Sequence, residues 1–176
     1  SSLLVSDEAN HRIMIWDTIA AGGSAARVLG HSSVSGAGAG GCDDAEINSP
    51  SGLFVTPAGK VIVADSGNHR VMIWNSLATL TTGDDADVIL GSVAGTTATT
   101  MNYPTGIWSD DTRLLVVDYN NNRVLIWNTF PTTGTPAELA LGPSDLNSPT
   151  YGTTDALMQA PWGVSSNGTQ IYVVDI

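Results

Sequence analysis

The chain has 176 residues, 42% of them hydrophobic, with 17 acidic against 6 basic side chains and a formal net charge of −11. Six cations cannot build the basic stripe that releases counterions from a nucleic acid, and an anionic membrane surface repels the same charge. No apolar run approaches the length of a membrane span, and a lone cysteine, Cys42, excludes an internal disulfide and a thiolate metal site.

In chain order, Leu3-Leu4-Val5 is a β-branched apolar run too short for a helix and reads as a strand. The phrase that follows it, Asp7-Glu-Ala-Asn-His-Arg-Ile-Met-Ile-Trp16, returns as Asp65-Ser-Gly-Asn-His-Arg-Val-Met-Ile-Trp74 and as Asp118-Tyr-Asn-Asn-Asn-Arg-Val-Leu-Ile-Trp127. A further copy begins at Ile171-Tyr-Val-Val-Asp175. The aspartates Asp7, Asp65, Asp118 and Asp175 stand 58, 53 and 57 residues apart, too far for helical-hairpin repeats and suited to one four-stranded sheet per unit. The chain thus reads as a repeat array, and as a piece of one.

Four strand positions, a to d, can be read in each unit. Strand b is the apolar run before the aspartate: Leu3–Val5, Val61–Val63, Leu114–Val117 and Ile171–Val174. Asn and Gly after it (Gly67-Asn68, Asn120-Asn121) supply the positive φ of a tight hairpin. Strand c, Arg to Trp, is apolar at successive positions, so both of its faces must be covered. Strand d is short and of mixed polarity (Arg27–Leu29, Asp87–Leu90, Glu138–Leu141), suits an edge, and stops at Gly30, Gly91 or Gly142. Strand a opens at Pro50, Pro104 and Pro161, each followed two residues later by glycine. Proline is admitted at a strand's first position, and glycine lets backbones approach where units converge on an axis, so strand a should be innermost.

Sheets covered on both faces at this spacing read as blades of a β-propeller rather than as a β-solenoid, whose coils usually need fewer residues per turn. The fold class expected is all-β, with four-stranded antiparallel blades, about three per chain. The pattern Pro-x-Gly, a strand ending in Val-x-Asp, then Gly-Asn-His-Arg-Val resembles the NHL repeat, with Asp65 to Trp74 the nearest match. That resemblance implies a six-bladed ring, of which this chain would be half. It implies protein interaction most often, RNA binding in basic members, and metal-dependent lyase or hydrolase activity in related six-bladed forms. Blades are expected at residues 50–91 and 104–142, with a split blade from 1–30 and 161–176. Two chains joined head to tail would close the ring as a homodimer.

Carboxylate, amide and guanidinium recur together at Asp7, Asn10, Arg12; at Asp65, Asn68, Arg70; and at Asp118, Asn121, Arg123. A residue required in every repeat serves the repeat, and these nine read as a hairpin network rather than a catalytic site. His11 and His69 share one register and His31 lies elsewhere, so no three histidines converge on a metal. The acidic clusters Asp43-Asp44-Glu46, Asp84-Asp85-Asp87 and Asp110-Asp111 lack calcium-loop spacing and read as solvated loops. Gly36 to Gly41 lacks the Lys-Ser/Thr of a phosphate cradle, and there is no nucleophile elbow. No cofactor or metal is expected, and no catalytic residue.

Trp16, Trp74 and Trp127 recur and read as packing between blades, whereas Trp108 and Trp162 do not recur. The long d-to-a connections, 31–49, 92–103 and 143–160, share a face with the b–c hairpins and are free to diverge. The expectation is a non-catalytic scaffold that binds a protein, peptide or glycan there, with Trp162, His31, Tyr151 and Tyr103 as candidate binding residues. The alternatives are a channel-metal enzyme and a fragment with no function of its own. Abundant Gly, Ser, Thr and Asn beside a single Lys favours an extracellular or periplasmic setting.

Overall fold

Successive apolar residues in the b and c segments force those strands between two covered faces, and the chain solves this by stacking small antiparallel sheets. A computed structural model describes residues 1–176 except 37, 39, 42, 143, 144, 148–151, 153 and 155. It contains strands β1 (Leu3–Asp7), β2 (Arg12–Trp16), β3 (Arg27–Leu29), β4 (Pro50–Val55), β5 (Val61–Asp65), β6 (Arg70–Trp74), β7 (Val88–Gly91), β8 (Pro104–Ser109), β9 (Leu114–Asp118), β10 (Arg123–Trp127), β11 (Leu139–Leu141), β12 (Pro161–Ser166) and β13 (Ile171–Asp175). No α-helix occurs among the described residues, only three short 3₁₀ turns.

The sheets run β1-β2-β3, β4-β5-β6-β7, β8-β9-β10-β11 and β12-β13, in meander order. These are propeller-like blades, a-b-c-d in the two complete sheets, b-c-d in the first and a-b in the last; they do not form a closed ring. Register is the same in each a–b pair: Pro50 lies opposite Asp65, Pro104 opposite Asp118 and Pro161 opposite Asp175, with a bulge just after each proline. Strands a sit side by side, β4 against β8 and β8 against β12. A Cβ on Gly52 would overlap the Thr105 carbonyl oxygen, and one on Gly106 would lie 2.8 Å from the Gly163 Cα. Glycine is demanded there by the close approach of neighbouring backbones.

The core lies between blades. Ile13, Ile15 and Leu29 of the first blade pack on Val61, Val63, Met72 and Trp74 of the second. Ile62, Ala64, Val71 and Ile73 on its other face pack on Leu114, Val116, Leu125 and Trp127 of the third, and Leu115, Val117, Val124 and Ile126 meet Val164 and Val173 of the last. Each recurrent tryptophan pins its own c–d loop by an indole N–H: Trp16 to Gly23 O, Trp74 to Asp84 O and Trp127 to Thr135 O.

The hairpin differs from its sequence reading in one respect. Positive φ falls not on Gly67-Asn68 or Asn120-Asn121 but on His11, His69 and Asn122, at 56°, 56° and 55°, each closing a 3₁₀ turn. Histidine and asparagine tolerate the left-handed region better than most residues. Gly67 is small for another reason, since a Cβ there would lie 2.7 Å from the Asn48 side chain.

Candidate functional site

The b–c hairpins and the d-to-a connections meet at one end of the blades, and the repeated polar residues form the floor of that end. Asp65 accepts from Arg70 Nε at 2.7 Å, from Asn68 Nδ2 at 3.0 Å and from the Asn48 backbone at 2.7 Å. Asp118 does the same with Arg123 Nε, Asn121 Nδ2 and the Asn102 backbone, at 2.7, 2.8 and 2.7 Å. Both pairs are buried. The guanidinium groups reach onward to loop carbonyls, Arg70 to Asp43 and Glu46, and Arg123 to Thr96, Thr97, Thr100 and Leu146. Arg70 thus ties down the connection that precedes its blade, and Arg123 the connections on both sides of its own.

Asp7 binds Arg12 at 2.8 Å and Asn10 at 2.9 Å, and Arg12 reaches Val34 O and Gly36 O. With no strand a beside it, Asp7 stays partly exposed, and the hydrogen bond from Arg12 holds its carboxyl below the ordinary value of 3.8. Burial pushes Asp65 and Asp118 in the opposite direction, above 3.8, against the pull of their donors. The aspartate of the motif is therefore shifted in opposite directions according to whether a neighbouring strand covers it.

Hairpin residues also clasp the next blade. His11 Nδ1 accepts from the Ser49 backbone at 2.9 Å, His69 Nδ1 from Tyr103 at 3.2 Å, and Asn122 Oδ1 from Ala160 at 3.0 Å. An acceptor on a residue that tolerates positive φ is what this register requires. His31, in the first long connection, contacts the Asn10 carbonyl through Nε2 at 3.1 Å and so joins loop to hairpin.

Above this floor the rings of Tyr103, Tyr119 and Trp162 form a row. Tyr103 and Tyr119 meet edge to face with centroids 6.4 Å apart, and Tyr119 and Trp162 at 5.5 Å. The Tyr103 hydroxyl lies 3.3 Å from the Glu8 carboxylate, which belongs to the first blade. Tyr103 precedes the third blade, so the contact skips the second and shows the array curving about an axis. Desolvation, followed by the charge of Glu8, raises the Tyr103 phenol above 10.0 and keeps it the donor. Trp162 is 48% exposed and borders a groove of about 170 Å³ lined by Ser51, Gly52, Thr105, Gly106 and Gly163.

The row occupies positions that do not repeat. Tyr103 stands where the other blades have Ser49 and Ala160, Tyr119 where they have Glu8 and Ser66, and Trp162 where they have Ser51 and Thr105. Of the candidate binding residues, Trp162 and Tyr103 come together through Tyr119, which sequence reasoning passed over. Its departure from register was the available signal. His31 lies apart, and Tyr151 and Cys42 fall outside the described residues. Among the described residues no three His, Cys, Asp or Glu side chains group so as to hold a metal ion. Asp110 and Asp111 are engaged instead, Asp110 by Arg113 at 2.7 Å and Asp111 by Thr56 at 2.6 Å and Lys60 at 3.2 Å across a blade boundary.

No curated protein matches the chain. The family model of the NHL repeat matches residues 48–74, which span strands a, b and c of the second blade with Asp65, Asn68, His69 and Arg70. The chain therefore carries an NHL repeat at residues 48–74, set in an array of β-propeller-like blades.

Proposed function

We propose that this chain is a non-catalytic propeller scaffold that binds a protein, peptide or glycan through its loop face. The observation that carries the reading is the aromatic row. Three large rings gather at the inner rim at positions the repeat does not prescribe, and one of them, Trp162, stays half exposed. Aromatic anchors set on a rigid scaffold are the usual core of a binding surface. The test is a screen of the full chain against peptide and glycan arrays beside the Tyr119→Ala/Trp162→Ala double variant. Binders whose signal disappears in the variant are expected; binders indifferent to it would contradict the site.

A second copy as partner is favoured by the end faces. Leu3 and Val5 of the first blade are 42% and 38% exposed, although their counterparts Val61 and Val63 are fully buried. On the last blade Tyr172 and Val174 are open where Ile62 and Ala64 are covered. In each internal junction the first kind of face packs on the second, so two chains joined head to tail would cover both.

A further inference from the structure

Resting on the loop-face reading above, we propose that the row of Tyr103, Tyr119 and Trp162 beside Glu8 is a site for a cationic side chain, the guanidinium or ammonium of a basic peptide segment. A ring face carries negative potential and attracts a cation placed within about 6 Å of its centroid, most strongly on tryptophan. Edge-to-face contacts at 62° and 87° cover one of the four ring faces in each pair, where stacking would cover two. Glu8 supplies a full negative charge, exposed on the first hairpin and held near the rings through the Tyr103 hydroxyl.

The chain shows what such rings attract. Lys60 Nζ sits 5.0 Å from the centroid of Phe130, and the Arg113 guanidinium 5.6 Å from Trp108. The row at the rim has rings and a carboxylate, yet no described cation of the chain lies over it. Nor can one be spared. All six lysine and arginine side chains are paired with aspartates: Arg12 with Asp7, Arg27 with Asp17, Lys60 with Asp111, Arg70 with Asp65, Arg113 with Asp110 and Arg123 with Asp118. The remaining acidic residues give a molecule of net charge −11, which draws cations towards the rim and repels anions. A neutral sugar would satisfy the rings but leave Glu8 and this field unused.

The test titrates the full chain and its variants with tetra-arginine amide, at low and at high salt, reading affinity by calorimetry in every protein and the site by the Trp162 indole resonance wherever that residue is present, with maltotetraose as the neutral probe. Saturable binding of the peptide is expected, weakened about tenfold by Trp162→Ala, largely kept by Trp162→Phe, and made less salt-dependent by Glu8→Gln. Equal affinity in wild type and Trp162→Ala would reduce the binding to diffuse electrostatics and overturn the proposal. So would a shift of the indole by maltotetraose without one by the peptide, although the loop-face reading would then stand. If neither probe moves the indole, the cation site falls. The loop-face reading falls with it only when the array binders also ignore the Tyr119→Ala/Trp162→Ala double variant.

Discussion

Asp65 and Asp7 occupy one position of the motif and differ in what lies beside them. Asp65 is buried with Arg70 and would leave that guanidinium uncompensated if removed, whereas Asp7 is partly exposed and Arg12 can fall back on water. Truncating one partner of a buried pair costs about 3–5 kcal/mol, and an exposed pair contributes about 0–1 kcal/mol. Denaturant unfolding should therefore show Asp65→Ala as severely destabilised and Asp7→Ala as nearly unaffected; equal losses would mean that covering by strand a does not matter. This polar network was legible in the sequence because it recurs. The detail of its turn was not, since Gly67 looked like the source of positive φ. In fact His69 takes that conformation, and Gly67 is small to make room for Asn48. A glycine required by space and one required by backbone angle are indistinguishable until the neighbour is known.

At the scale of the element, short β-branched apolar runs and turn residues located the strands, and the proline-to-aspartate register repeats through three sheets. Strand ends moved by a residue or two, as with β1, which runs on to Asp7. The aromatic row escaped the strand reading because its three members come from a connection, a hairpin and a strand, and only packing across blades brings them together. Glycines separate the two roles experimentally. Gly52→Ala must push strand a away from the Thr105 carbonyl, while Gly59, at φ +87°, has nothing within 4 Å of its missing Cβ. The first substitution is expected to cost more than about 3 kcal/mol and the second about 1 kcal/mol, the ordinary strain of a side chain at positive φ. Thermal unfolding of the two variants checks the order; a tolerated Gly52→Ala would mean that neighbouring strands a are not in contact.

The whole molecule is an array in which a blade's apolar faces exist to be covered by other blades. That organisation explains why the middle blades bury every residue of their b and c strands, whereas in the first blade only Ile13 and Ile15 of those strands, facing the second blade, are buried. It also explains why the last blade leaves Tyr172 and Val174 in the open. Propeller architecture was legible from spacing and from strand c, but the partner of the end faces is written in no motif, because a face made for another blade looks the same whichever chain supplies it. Curvature, seen in the reach of Glu8 to Tyr103 across the second blade, brings the first hairpin to the aromatic row. The claim that the end faces are interblade faces is tested most directly by the solution mass, measured by light scattering on a size-exclusion column through a dilution series. A stable particle of twice 18.2 kDa is expected. A monodisperse monomer at every concentration would contradict it.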